Sequence, residues 1–387
     1  MYGYAGKVLH VDLSTQKIVK KPLDLALARR FLGGAGIATK MLYDEVKPGV
    51  EPLGPDNLFI ITVGPLVGTA TPCAARVDLV SKSPLTGIIG LSNAGGYFAS
   101  SLKMAGYDAV VIRGRSERPV YLWIDDDEVN IRSAEHLWLK ADAWDSVDRI
   151  KEEIDERPRD IRIMCIGPGG ENLVKYASVV FDRYHVAGRC GLGAVMGAKK
   201  LKAVAVRGTK RPCVARPDEF FKAVREAVDR IVHDPRYKTY REYASLPVSR
   251  ISYRAGRLPG KNYQTTVIEG WEETRTLECA LEYITPQSRV DQKEIGCFSC
   301  PIMCFHQVEV KEGKYKGLRI SSGTFVMPIV EFGAKCMIDN LPAIWKCKEL
   351  CHRLGLDQAS AGACIAFAME ASQRGALDEK IEWGDEE

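Results

Sequence analysis

The chain has 387 residues, with 54 Lys and Arg against 50 Asp and Glu, so its formal charge is only +4. A balance this close to neutral argues against a nucleic-acid binder that works through a strongly basic face. With 46% hydrophobic and 27% charged residues the chain reads as an ordered globule of two or three domains, and no apolar run approaches the roughly 20 residues of a membrane span.

The opening segment, Met1-Tyr2-Gly3-Tyr4-Ala5-Gly6-Lys7, lacks the apolar centre of a signal peptide. A cytoplasmic setting follows as the expectation. There, 12 cysteines are expected to bind metal or stay reduced rather than form a disulfide framework. Val8 to Leu13 alternates as a half-buried strand, and Ser14 to Lys17 turns it into a second strand, Ile18 to Lys20. Leu23 to Leu32 reads as a helix ended by Gly33-Gly34. Further strands are expected at Leu58–Val63 and Ala109–Ile112. Val120–Ile124 and Glu128–Ile131 bracket a hairpin at Asp125-Asp126-Asp127. A helix at Trp144–Glu156, a strand at Ile161–Ile166 and a strand at Leu201–Val206 complete a mixed, mostly antiparallel sheet domain. Gly208 to Pro217 reads as a linker. Asp218–Val232 follows as an amphipathic helix, and residues 234–296 are irregular. Two more helices are expected, Leu341–Leu354 and Asp357–Arg374. In the first, Leu341, Ile344, Trp345, Lys348, Cys351 and Leu354 mostly share a face. No internal repeat is visible.

The sharpest chemical signal is Cys297-Phe298-Ser299-Cys300-Pro301-Ile302-Met303-Cys304, a C-x2-C-x3-C run. Closely spaced thiolates let one loop wrap an iron–sulfur cluster corner by corner. A zinc knuckle drawing on His306, or a chance group of reduced thiols, are the competing readings, and the spacing favours the cluster. Two glycine-rich turns come next, Ser92-Asn93-Ala94-Gly95-Gly96-Tyr97-Phe98 and Ala187-Gly188-Arg189-Cys190-Gly191-Leu192-Gly193-Ala194-Val195-Met196-Gly197. Such turns let a backbone approach a ligand closely, and Arg76 and Arg189 are the residues that could grip a phosphate there. Taken alone, turns of this kind are more often just turns, and the order of the glycines is not a dinucleotide-binding fingerprint.

The remaining candidates are weaker. Leu354-Gly355-Leu356-Asp357 reads first as a helix–helix junction, with Gly355 closing one helix and Asp357 capping the next. His10, His136, His185 and His233 read as surface or strand residues, with Tyr184-His185 close enough to the second turn to face the same site. Glu331, in the apolar stretch Phe325–Phe332, is a candidate for proton transfer that could equally face water. Lys199-Lys200 reads as complementing a helix dipole.

Together these residues resemble the tungsten-containing aldehyde ferredoxin oxidoreductase family. The resemblance runs over nearly the whole chain. It passes through Met1-Tyr2-Gly3, Val11-Asp12-Leu13-Ser14-Thr15, Gly64-Pro65-Leu66-Val67-Gly68-Thr69 and Ser83-Pro84-Leu85-Thr86-Gly87. It continues through Asn93-x-Gly95-Gly96-Tyr97-Phe98, Ala105-Gly106-Tyr107-Asp108-Ala109, Gly167-Pro168-x-Gly170-Glu171-Asn172 and Gly191-x-Gly193-Ala194-Val195-Met196-Gly197.

The resemblance implies an α+β fold. A two-sheet β domain with flanking helices, residues 1–210, would be followed by a mainly helical domain, residues 211–387. It implies two molybdopterins chelating one tungsten or molybdenum, bound by Arg76, Asn93, Ala94 and Gly95 and by Arg189, Cys190, Gly191 and Gly193. The helix junction resembles the family's D-x-x-G-L-D pterin motif, with Leu356 and Asp357 matching and His352 standing where the motif has its first Asp. Cys297, Cys300 and Cys304 would hold a [4Fe-4S] cluster.

The implied chemistry is oxidation of an aldehyde to a carboxylic acid, with electrons passed through the cluster to ferredoxin or an iron–sulfur electron-transfer subunit. Lys346 and Glu349 occupy the place of an E-x-x-H pair that some members use for a bridging iron, so that site is not expected. Met327 falls where aldehyde-oxidising members carry an acidic residue. This keeps the related benzoyl-CoA reductase catalytic subunits open as an alternative, along with a non-catalytic iron–sulfur and pterin module that needs a partner chain. The sequence is expected to stop within the helical middle domain, as a fragment, as a split subunit whose partner chain supplies a third domain, or as a degenerate homologue, and self-association is left open. Cys336, Cys347, Cys351 and Cys364 are the candidates for a fourth cluster ligand.

Overall fold

The computed structural model describes residues 2–154, 160–268, 290–321 and 325–387. The chain forms two compact units. The first comprises Met1–Asp229 together with Cys297–Cys300 and His352–Asp357; the second holds the remainder.

The first unit contains two six-stranded sheets, each with four antiparallel pairings and one parallel pairing. One sheet is built from β1 (Lys7–Asp12), β2 (Lys17–Pro22), β3 (Phe59–Val63), β4 (Val77–Lys82), β5 (Ile89–Ala94) and β6 (Ala109–Arg113), in the order β2-β1-β6-β3-β4-β5. The other is built from β7 (Val120–Asp125), β8 (Glu128–Ser133), β9 (Arg162–Cys165), β10 (Val179–Phe181), β11 (His185–Ala187) and β12 (Leu201–Arg207), in the order β11-β10-β9-β12-β7-β8. Read from the hairpin end, the two orders are the same. The hairpin β1–β2 corresponds to β7–β8, β6 to β12, and β3-β4-β5 to β9-β10-β11. The single parallel pairing also recurs, β1 with β6 and β7 with β12.

This duplication was not visible in the sequence. The two halves share topology, but their loops differ in length and their strands differ in residue identity. Only the pattern of hydrogen-bonded neighbours reveals it.

Period-two alternation explains the layering. Leu9 and Val11 of β1, Phe59, Ile61 and Val63 of β3, Val120, Leu122 and Ile124 of β7, and Val204 and Val206 of β12 share one core that draws on both sheets. The opposite faces are covered by helices. Val8, Ile60, Val80 and Val111 pack with residues of α1 (Leu25–Phe31) and α2 (Ala35–Glu45). Tyr121, Trp123, Ile163 and Ala205 pack with Trp144, Val147 and Ile150 of α3 (Ala143–Ile154).

Most expected strands appear within a residue or two of their expected ends. The Gly33-Gly34 reading needs correction. The first helix ends at Phe31, Leu32 takes a positive φ of 61°, and Gly34 serves as the N-cap of α2, a helix the sequence reading passed over. Strands β4, β5, β10 and β11 were also passed over; β10 and β11 have only three residues each. Residues 155–159, at the expected end of the Trp144–Glu156 helix, lie outside the described residues.

Deep in the second sheet, the Lys202 ammonium donates to Glu171 Oε1 at 2.6 Å and to the Ala141 carbonyl at 3.2 Å, and both charged side chains have no exposure. Two fully desolvated charges are tolerated only because each answers the other.

The second unit carries a three-stranded antiparallel sheet, β13 (Val290–Ile295), β14 (Phe305–Val310) and β15 (Arg319–Ser321), which the sequence reading did not foresee. On β14 the residues His306, Val308 and Val310 are buried and alternate with partly exposed ones. The long helices fall where expected, at Leu341–Leu354 and Gln358–Gln373. Lys348, placed by periodicity on the apolar face, is indeed buried. Its ammonium donates to the Ser321 carbonyl at 2.9 Å and lies 5.7 Å from the centre of the Phe325 ring. Burial pulls its pKa down to about 7. Glu331 is buried rather than facing water, and it pairs with Lys335 one helical turn on.

Replacing Glu171 by Ala would strand the Lys202 charge, and the variant is expected to lose about 3–5 kcal/mol of stability. Chemical denaturation against the parent chain measures this; a loss below about 1 kcal/mol, the range of exposed pairs, would contradict the role given to the pair.

Candidate functional site

Strands β5 and β11 each form one edge of their respective sheets. They lie beside one another. The Ser92 hydroxyl donates to the Gly188 carbonyl at 2.5 Å, and the Ser83 hydroxyl donates to the Cys190 carbonyl at 2.7 Å. The two glycine-rich turns leave these edges at equivalent points of the repeat. One leads from β5 into α4 (Phe98–Met104). The other leads from β11 into α5 (Leu192–Ala198).

In the first half, Asn93 and Ala94 end β5, and Gly95 opens the turn. Arg76 stands just before β4, with its guanidinium hydrogen-bonded to the Asn93 side-chain carbonyl, and both residues are exposed. Asp78, next along on β4, accepts from the Ala35 amide at 2.9 Å; burial pushes its pKa up.

In the second half, Arg189, Cys190 and Gly191 all take positive φ, at 67°, 57° and 69°. Gly191 is required there: a β-carbon would run into the Lys175 carbonyl. Arg189 is exposed at the apex of this turn, and Gly193 is buried in the first turn of α5.

The segment His352–Asp357 lies against the second half. Leu356 forms an isolated antiparallel bridge with Ala177. The Asp357 amide donates to the Tyr176 carbonyl at 3.1 Å, and the Ser178 amide donates to the Gly355 carbonyl at 2.8 Å. Arg353 anchors the segment through Asp142 at 2.7 Å and stacks over Trp144 at 4.5 Å. The buried Asp357 carboxylate sits beside the second turn: a β-carbon at Gly188 would be 2.5 Å from its Oδ1. His352 is buried at the end of its helix. Thus Asp357 and Leu356 share a neighbourhood with the 188–193 turn.

The segment Cys297–Cys300 adjoins the first turn. The Phe298 amide donates to the Gly96 carbonyl at 3.2 Å, and the Phe298 ring meets Tyr97 edge-on. The Ser299 hydroxyl donates to the Ala70 carbonyl at 3.1 Å. Cys297 Sγ lies 3.3 Å from His185 Nε2, and a β-carbon at Gly95 would come within 3.0 Å of that sulfur. At Gly96, with φ of 99°, a β-carbon would press on the His185 ring. These two glycines therefore leave room for a thiol and an imidazole at the turn.

Burial pushes the Cys297 thiol up, and the Gly96 backbone hydrogen bond and the Arg76 charge oppose it. His185 is a strand residue, as expected, and it is buried with its ring at the cysteine segment. Cys300 Sγ lies 3.6 Å from Cys73 Sγ. The sequence reading missed Cys73; the only clue was its place three residues before Arg76. Cys304 belongs to the second unit, just ahead of β14. Cys336, Cys347, Cys351 and Cys364 also lie in the second unit. Burial pushes Cys336 to about 12, and it donates to the Glu331 carbonyl at 3.4 Å.

Residues 8–208 match the model of the aldehyde ferredoxin oxidoreductase N-terminal domain, and residues 222–387 match that of domains 2 and 3 of the same family. The chain belongs to the aldehyde ferredoxin oxidoreductase family.

Among its relatives within this family, the tungsten-containing aldehyde ferredoxin oxidoreductase of Thermococcus kodakarensis is 39% identical over 97% of this chain and 60% of that protein. The enzyme of the same name from Pyrococcus furiosus is 37% identical over the whole of this chain and 63% of that protein. The chain therefore spans somewhat over half the length of these curated relatives. Among solved structures, the active-site complex BamBC of benzoyl coenzyme A reductase with 1,5-dienoyl-CoA superposes with a TM-score of 0.84 at 31% identity. That match covers 97% of this chain and 57% of the solved one.

Gly167 packs directly under the helix junction, where a β-carbon would lie 2.5 Å from the Arg353 carbonyl oxygen and from the Leu354 backbone. Gly167→Ala should therefore lift His352–Asp357 off the second half, at a cost of about 1–3 kcal/mol. Hydrogen exchange reports it most locally: the Ser178 amide should lose protection. Unchanged protection at Ser178 would contradict this packing.

Proposed function

We propose that this chain is the cofactor-bearing part of a tungsten or molybdenum oxidoreductase. The observation that carries the reading is the doubled turn. Two equivalent turns, one per half of a duplicated fold, leave adjoining sheet edges; exposed Arg189 stands in the second, and exposed Arg76, just before β4, reaches the first through its hydrogen bond to Asn93. Two like seats suit two like ligands.

The residues fit a pterin chelate of the metal. Gly95, Gly96, Gly188 and Gly191 remove β-carbons at four positions of the turns, and Arg76 and Arg189 offer guanidinium forks to phosphate. On this reading Arg76, Asn93, Ala94 and Gly95 hold one molybdopterin. Arg189, Cys190, Gly191 and Gly193 would hold the other, with His352, Leu356 and Asp357 beside them. A metal chelated by soft pterin sulfurs supplies two-electron chemistry at one atom.

Cys297, Cys300 and Cys304 would be thiolate ligands of a [4Fe-4S] cluster, which supplies one-electron transfer. The position of the Cys297 thiol, in contact with His185 and beside Gly95, supports this reading. Ferredoxin or an iron–sulfur subunit is the proposed acceptor. The proposed reaction is oxidation of an aldehyde to its carboxylic acid, in the cytoplasm. Among the described residues no helix is long and apolar enough to cross a membrane.

A second reading has its own support. The likeness to the benzoyl coenzyme A reductase complex, and Met327 where an acidic residue is expected for aldehyde oxidation, favour a thioester substrate.

Anaerobic purification followed by metal analysis and turnover separates these readings. Aldehyde-dependent reduction of a viologen dye supports the first, and turnover only with aryl-CoA thioesters supports the second. Cys300→Ser should lose most of the bound iron. Full iron content in that variant would overturn the cluster assignment.

A further inference from the structure

We propose that Cys73 and Cys300 form a peroxide-responsive thiol pair, whose closure to a disulfide withdraws Cys300 from the metal-ligand set. The second half rests on the ligand role proposed above for Cys300; the first half does not.

The two residues are 227 positions apart in the sequence, yet their sulfurs are in van der Waals contact at 3.6 Å. Two further bonds fix the Cys300 segment. The Ser299 hydroxyl on the Ala70 carbonyl ties it to the Cys73 loop, and the Phe298 amide on the Gly96 carbonyl ties it to the β5 turn. Closure to a disulfide of about 2.05 Å would shorten this contact between two residues that both lie outside helices and strands. Cys73 is exposed, at a positive φ of 61°, and Cys300 is partly buried behind it. An oxidant from solvent therefore meets Cys73 first. Other thiols of the chain are differently placed: Cys165 and Cys336 are buried and donate to backbone carbonyls, and Cys297 faces His185.

The step balances with hydrogen peroxide as oxidant. The Cys73 sulfur attacks one peroxide oxygen, the O–O bond breaks, a sulfenic acid forms and one water leaves. The Cys300 sulfur then attacks the Cys73 sulfur, the S–S bond forms, the S–O bond breaks and a second water leaves. Two thiols lose two electrons and two protons, and the peroxide is reduced to two waters. A dithiol reductant reverses the closure by exchange through a mixed disulfide. The consequence is protective. A chain exposed to oxidant without its cluster stores Cys300 in a recoverable form, and it accepts iron again only after reduction.

The test uses the full chain stripped of metal under a chelator and a dithiol, then treated briefly with hydrogen peroxide. Peptide mapping without reductant should find the segment containing Cys73 linked to the segment containing Cys300. Iron uptake on reconstitution with ferrous iron and sulfide should fall about tenfold after oxidation and recover after dithiol. Cys73→Ser should load iron like the parent before oxidation, show no link, and fail to recover after peroxide, because its Cys300 proceeds to irreversible acids. A map in which neither residue is linked to the other overturns the pair. A chain that forms the link yet loads iron equally well overturns the withdrawal of Cys300. A chain that forms the link but takes up no iron even before oxidation overturns the ligand role of Cys300, and leaves the pair standing as thiol chemistry alone.

Discussion

The contact on which the first unit's site depends is the meeting of two sheet edges. An exposed strand edge is a liability unless something covers it. Here β5 and β11 cover one another, and the Ser83 and Ser92 hydroxyls donate to carbonyls of the opposite turn. Because the two halves have the same strand order, the same turn arises twice, once at each edge. A duplicated fold joined at its edges thus yields a paired surface that one half alone could not offer. The glycines follow from this closeness. Where the Lys175 carbonyl, the His185 ring or the Cys297 sulfur stands against the turn, a β-carbon has no room.

Much of this was legible in the sequence, and the reasons differ from part to part. Strands such as Phe59–Val63 and Ala109–Arg113 are dominated by apolar residues, and the burial of Phe59–Val63 and Ala109–Ile112 on both faces follows from that composition. The hairpin at Asp125-Asp126-Asp127 announces itself through three acidic residues between two stretches of strand-forming residues. What escaped was of another kind. Strands β10 and β11 are too short to show a period. Helix α2 hides behind Gly33-Gly34, because a glycine pair that ends one helix can equally start the next. The three-stranded sheet of the second unit was lost among polar residues, although His306, Val308 and Val310 alternate on β14. The duplication lies in hydrogen-bond partners, which a single pass along the chain does not reveal.

The candidate site divides in the same way. Motif spacing pointed to the cysteine run, the two turns and the helix junction. The first unit brings Cys297 to the first turn, Cys300 to Cys73, and Leu356 and Asp357 to the second turn. Cys73 belongs to no motif. It matters only because a hydrogen bond between Ser299 and Ala70 holds two loops together, and a relation of that kind is written in three dimensions alone. Family membership adds the chemistry that suits such a surface, and the share of the relatives' length that the chain spans bounds how much of that chemistry these residues can carry by themselves.

The central claim is that the two equivalent turns are seats for two pterins on one metal. Quantifying the organic pterin released per tungsten or molybdenum from anaerobically purified protein tests it most directly, in the parent chain and in Arg76→Ala and Arg189→Ala. The account predicts two pterins per metal in the parent and a lowered pterin content in each variant. Parent protein that carries metal without pterin, or variants that both retain the full complement, would contradict it.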